Sequence, residues 1–143
     1  MATTAKIGWG AAFHLDNAAG VLTELAEITA ITPPNPTQAV VEATHFKSAN
    51  RRREYIAGLI EDGEGTFEMN YDPNSATDSL IRTALSDGVT RDYRIDIPDG
   101  ASTWQVSGQC VVVGYERNIP IDDRMTATLT VRFTGASTEA API

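Results

Sequence analysis

This chain of 143 residues holds a single cysteine, two histidines and no long apolar run, and each shortage removes a class of function. Cys110 has no second cysteine to pair with; in Gln109-Cys110-Val111-Val112-Val113 it lies in an apolar, strand-like stretch and reads as a buried, inert thiol. Such usage fits a reducing compartment. No segment approaches the roughly 20 apolar residues of a membrane span. The start, Met1-Ala2-Thr3-Thr4-Ala5-Lys6, lacks the apolar run of a secretory signal. Basic residues are scarce too: 11 Lys and Arg against 19 Asp and Glu give a net charge of −8. Gripping nucleic acid through its phosphates needs the opposite balance.

The catalytic inventory is equally thin. His14 and His45 have no accompanying nucleophile motif and no metal-ligand spacing. The run Asp72-Pro73-Asn74-Ser75-Ala76-Thr77-Asp78 superficially resembles a calcium loop, but Ala76 stands where an oxygen ligand is required and Thr77 where glycine is. Asp122 and Asp123 are adjacent at a strand edge, so their side chains point apart and make a poor acid–base dyad. No glycine-rich phosphate loop is present; Gly58, Gly63 and Gly65 flank strands, where they permit turns or bulges. No catalytic residue, metal ligand or cofactor is expected.

What is present is alternation. From Arg124 to Thr134 polar and apolar residues take strict turns, which means a half-buried strand with Met125, Ala127, Leu129, Val131 and Phe133 facing a core. Glu64 to Tyr71 repeats the pattern, with Phe67, Met69 and Tyr71 inward. Thr90 to Ile97, a long run from Trp104 to Tyr115, Val21 to Ile31 and Val40 to Phe46 are further strand candidates. Asp99-Gly100 signals a turn, and Thr32-Pro33-Pro34-Asn35-Pro36-Thr37 a turn or exposed link. One helix is predicted over residues 75–87. Ser75 and Asp78 have capping-box spacing, Leu80, Ile81, Ala84 and Leu85 form one stripe, and Gly88 supplies the stop. The sum is a mainly β domain, a sandwich or small barrel of about six or seven strands with one flanking helix. Residues 1–20 read as a loose arm or short edge strand of that single 1–143 domain, and 136–143 as a loose tail.

The order of these segments resembles the major tail tube proteins of long-tailed bacteriophages, whose fold is shared with the tubes of contractile injection systems. The likeness is carried by Trp9-Gly10-Ala11-Ala12-Phe13, Leu25 to Ile31 running into Pro33-Pro34, Ala43-Thr44-His45-Phe46, Arg53 to Glu64, Thr66 to Asp72, and the closing run from Asp122 to Val131. It covers about residues 8–135. The resemblance implies a structural subunit in the virion tail. Hexameric rings would stack into a tube that delivers DNA without specifically binding it, after assembly in the host cytoplasm. Tail terminator, tape measure and baseplate or tip proteins are the implied partners, and no membrane is. A gene transfer agent or other injection system, contractile or not, would share the fold. A non-polymerising β-sandwich that binds carbohydrate is the alternative from another class, for which Trp9, Phe13, Trp104 and Tyr115 could line a groove.

In the family, the loop before the Gly-Leu segment reaches an adjacent subunit or ring. Here that loop holds Lys47, Asn50, Arg51, Arg52, Arg53, Glu54 and Tyr55, an arginine triplet in an acidic protein. Its arginines are expected to meet a neighbour's carboxylates, where bidentate pairing suits arginine; a solvated loop is the plainer alternative. Before assembly, residues 1–20, 47–57 and 136–143 are expected to be partly disordered. Acidic residues are expected to dominate the channel wall.

Overall fold

In the computed structural model, residue 3, residues 5–100 and residues 102–141 are described. Nine strands and one helix follow in the order β1 (Ala12–Asp16), β2 (Leu22–Glu24), β3 (Ile28–Ile31), β4 (Thr37–Glu42), β5 (Tyr55–Glu61), β6 (Glu64–Asn70), α1 (Ala76–Asp87), β7 (Arg91–Asp99), β8 (Ser102–Asn118) and β9 (Thr126–Ala140). Seven strands make one antiparallel sheet in the order β2-β1-β7-β8-β9-β6-β3, and β4 pairs with β5 apart from it. The mainly β class with one helix is as the alternation implies, but the strands are more numerous and no closed barrel forms among the described residues.

The large sheet curls so that its two ends face each other across a single core. Phe13 on β1 stacks on Phe67 on β6, ring centroids 3.9 Å apart and 14° from parallel, although three strands separate β1 from β6 in the sheet order. Tyr93 and Phe133 continue the aromatic layer at 5.1 Å. Leu15, Met69, Ile95, Leu129 and Val131 complete its fully buried centre, and Ala127 and Phe133 are buried as the alternation of the last strand requires. Cys110 is buried in this core, and burial pushes its thiol up to about 12, an inert group as expected.

Helix α1 closes one side, and its sequence explains both ends. Ser75 Oγ accepts from the Asp78 N–H at 3.2 Å, and Gly88 takes the left-handed conformation (φ 63) that ends the helix. Leu80, Ile81 and Ala84 bury the predicted stripe, while Leu85 stays 41% exposed.

Two expectations about the termini are corrected. Residues 12–16, placed in a loose arm or short edge strand, form β1 inside the sheet between β2 and β7, with Phe13 and Leu15 fully buried. The alternation there spans only five residues among Ala and Gly, too short to stand out before its neighbours are known. The tail expected from residue 136 is paired strand as far as Ala140, which lies opposite Gln105. Its side chains are mostly exposed, so pairing comes from the backbone and not from an apolar face. Residues 142 and 143 of that tail, and residues 1, 2 and 4 of the arm, lie outside the described residues. The single strand expected from Val21 to Ile31 is two, β2 and β3, broken where Glu27 adopts a positive φ of 57.

Candidate assembly surface

The residues singled out between 47 and 55 sit at the tip of a two-stranded arm. Antiparallel to each other, β3 and β6 run out of the sheet; beyond the Pro33-Pro34-Asn35-Pro36 link and the Asp62-Gly63 kink, β4 and β5 carry the ribbon on. The root is tied by Thr32 N–H donating to Thr66 O (2.9 Å) and Asn35 N–H to Asp62 O (3.0 Å). Arg132 on β9 pairs with both Glu61 and Glu64 across it. Gly65 is obligatory there. A Cβ on it would lie 2.5 Å from the Phe133 ring and 2.8 Å from the Thr32 carbonyl oxygen.

Past the root, both faces of the arm meet solvent. Every residue of β4 is exposed, as is every residue of β5 except the half-buried Gly58. Those residues are nevertheless apolar: Val40, Val41, Ile56, Ile60 and above all Leu59, at 87% exposure. A two-stranded ribbon is marginal in water on its own, and a contiguous exposed apolar surface marks an interaction site.

The tip is an organised loop. His45 Nε2 lies 3.2 Å from the Glu54 carboxylate, Ser48 Oγ–H donates to the same oxygen at 2.6 Å, and the His45 N–H donates to Ser48 Oγ. Glu54 N–H donates to Thr44 Oγ1 at 2.8 Å, closing the base of the loop. The structure thus separates the predicted residues. Glu54 is committed to the loop itself, and Arg53 pairs with Glu42 of the same arm at 3.3 Å. Lys47, Arg51 and Arg52 point into solvent with no ion pair among the described residues, and Phe46 beside them is wholly exposed. Asn50 and Arg51 both adopt positive φ (54 and 55), which turns the chain sharply and displays the arginines. The strand expected from Val40 to Phe46 ends at Glu42, because His45 and Ser48 turn the chain back toward Glu54.

Sequence reasoning did not foresee the exposed apolar strands of the arm. The signal was present in Val40-Val41 and Ile56-Ala57, two alternation-free apolar pairs that the structure sets opposite each other.

Trp9 is one of the aromatics that the carbohydrate-binding alternative places in a groove. It is 85% exposed, at the edge of an apolar cavity of about 1150 Å³ lined also by Ile7, Ile28, Ile31, Pro33, Ile95 and Ile97. Thr29 is its main side-chain polar group, so a saccharide would find few hydrogen-bond partners there. Trp104, from the same set, is 39% exposed and donates to Glu139 at 3.3 Å.

At the far end of the sheet a polar cluster holds α1 in place. Asp78, 3% exposed, accepts from Tyr115 Oη (3.0 Å), Asn74 N–H (3.1 Å) and Arg82 Nε (2.9 Å). Burial alone would raise its pKa; the hydrogen bonds, from Tyr115 first, outweigh that and hold it below the ordinary aspartate value. The same hydrogen bond and burial push the Tyr115 phenol well above its usual range. Arg117 lies over the Tyr71 and Tyr115 rings at 5.8 and 5.4 Å. This is a structural clasp. No group of His, Cys, Asp and Glu able to hold a metal occurs among the described residues.

Comparison with known proteins agrees with this architecture. The family model described as lambda phage tail tube protein matches residues 8–140. No curated protein sequence matches. Among solved structures, the chain is similar to the tail of an empty gene transfer agent particle refined with C6 symmetry (TM-score 0.78, 19% identity, 96% of this chain and 100% of that one). It is also similar to the SPP1 tail tube (TM-score 0.67, 12% identity, 96% and 80%). A chain of the anti-feeding prophage baseplate is a third (TM-score 0.72, 13% identity, 97% and 97%).

Proposed function

The chain belongs to the lambda phage tail tube protein family, a family of structural tail-tube subunits, and from that premise we propose that it polymerises into stacked hexameric rings around a DNA-conducting channel. The observation that carries this reading is the arm. Its two apolar faces are paid for by nothing in the monomer, whereas in an assembly they gain the area-proportional stabilisation that buried apolar surface provides. Six-fold rings are supported by the C6 symmetry of the similar gene transfer agent tail. Sheets joined edge to edge around such a ring would cover the open edges at β2 and β3.

The contact around the ring closes by rotation, while the contact from ring to ring is open and propagates. Something outside this chain therefore limits length. Terminator, tape measure and tip components are the fitting partners, in keeping with the baseplate, cap and terminator assemblies in which similar chains occur. A net charge of −8 per subunit suits a wall along which a polyanion slides without sticking. The place of work is a particle tail.

Negative-stain electron microscopy of the purified chain, as concentration is raised, tests the proposal. Rings or tubes of uniform diameter are the expected result, and removal of residues 40–57 should leave a folded monomer that forms neither. Persistent monomers of the intact chain, at all concentrations and with a tight small ligand of their own, would overturn it.

A further inference from the structure

The arm and the β8–β9 connection lie at opposite ends of the molecule, and their surfaces are complementary. Strand β6 pairs with β9 from Glu64↔Arg132 at one end to Asn70↔Thr126 at the other. The arm leaves beyond Glu64. The segment between Asn118 and Thr126 leaves at the Asn70 end, where Tyr71 N–H donates to Met125 O at 2.9 Å. There Ile119 (67% exposed) and Ile121 (102%) project beside exposed Asp122, Asp123 and Arg124, the Arg124 N–H donating to Asp123 Oδ1 at 2.7 Å. Asp72 is exposed next to the same segment.

At the arm tip the chemistry is inverted. Residues 43–53 contain Lys47, Arg51, Arg52 and Arg53 and no carboxylate, a local charge of +4 that leaves −12 on the rest of a −8 chain. Phe46, fully exposed, stands among these cations.

From this we propose that the arm tip of one subunit seats on the Ile119–Asp123 knuckle of a second copy in the adjoining ring, Phe46 against Ile119 and Ile121, with Arg51 and Arg52 on Asp122 and Asp123. The inference rests on the tube reading and adds to it the surface that receives the arm tip. Three features select a second copy as the occupant. Donor and acceptor surfaces are on opposite ends, as a propagating head-to-tail contact requires. Their charges are opposite, which steers and registers an encounter. Each contributes an apolar centre with a charged rim, the usual anatomy of a specific interface. Arg53 and Glu54 are spent inside the arm and tip, so Arg51 and Arg52 are the arginines left to reach across.

Charge exchange tests this. Arg51→Glu/Arg52→Glu should reduce tube mass at a fixed protein concentration at least about tenfold, and Asp122→Arg/Asp123→Arg should do the same, since like charges then face each other. All four changed residues are exposed, so each variant should keep the wild-type melting temperature. The chain carrying all four changes should polymerise again, and a mixture of the two double variants should form tubes that neither forms alone. If wild-type tubes form and the Asp122→Arg/Asp123→Arg chain assembles equally well, the knuckle is not the receptor, although the tube reading stands. Failure of the four-fold variant to recover, while each double variant remains folded, overturns the pairing. Absence of any wild-type polymer rejects the tube reading beneath it.

Discussion

The seven-stranded body and the β4–β5 arm are built from the same hydrogen-bonded ladder, yet only one of them owns its stability. In the body β1, β6, β7, β8 and β9 each carry buried residues on one face. The β6 pattern, for example, alternates buried Gly65, Phe67 and Met69 with exposed Glu64, Thr66 and Glu68. In the arm neither face is covered, and valine, isoleucine and leucine lie open on both. Backbone pairing is thus common to both regions and cannot be what separates them. Burial separates them. A ladder whose apolar faces lie in water is marginal on its own, and a chain that covered it would stabilise it.

That contrast can be probed by substitutions with graded consequences. Phe67→Ala removes the stacking partner of Phe13 from the centre of the body and should cost about 3–5 kcal/mol of monomer stability, measured by denaturant unfolding. A loss within about 0.5 kcal/mol would mean the curled sheet does not depend on its aromatic centre. At the joint between the two regions, Gly65→Ala forces a methyl into Phe133 and the Thr32 carbonyl. It should cost about 3 kcal/mol, the upper end for an overpacked site, and should also redirect the arm, so that tubes fail even when the residual fold is rescued by low temperature.

A smaller effect is expected at the clasp on α1. Tyr115→Phe deletes a hydrogen bond to the buried Asp78 carboxylate and should cost about 2 kcal/mol. The pH dependence has a definite sign. Because the folded-state pKa of Asp78 lies below its ordinary value, its contribution is present above the unfolded pKa of about 3.9 and is lost as pH falls through the folded one. Tyr115→Phe should therefore flatten the fall in stability of the wild type in acid. Parallel curves for the two proteins would remove Tyr115 from the cause.

The smallest effect on the monomer belongs to the arm. Leu59→Ala should change unfolding free energy by no more than about 0.5 kcal/mol, because this side chain touches mainly water, while tube formation weakens sharply. Hydrogen exchange extends the same test to the backbone. Amides of β4 and β5 should exchange quickly in the monomer and slow in the tube, whereas those of β8 and β9 stay protected in both. Equal protection of the arm in the two states would show that it needs no partner.

Much of the body was legible beforehand because its signals are local. The alternation of Met125 to Phe133 and of Phe67 to Met69 names the buried face without reference to any other segment, and Ser75, Asp78 and Gly88 mark the helix ends by their own chemistry. The arginine tip was visible as an anomaly of charge. The division of labour within it was not. That Arg53 turns to Glu42 and Glu54 to His45 depends on how β4 and β5 pair. The isoleucines at 119 and 121 give no signal in the sequence, since two apolar residues around a proline carry no periodicity.

The helix and the alternating strands were therefore decided by the order of residues, because side-chain period and capping act over a few positions, whereas β1 and the end of β9 took their pairing from distant segments. Where no alternation marks a buried face, which apolar residues became core and which became surface was settled only by the fold. Phe13 and Trp9 are four positions apart in a similar sequence context, and one is sealed against Phe67 while the other stands in solvent. Burial is a relation between distant segments, and it exists only once the sheet has curled and brought them together.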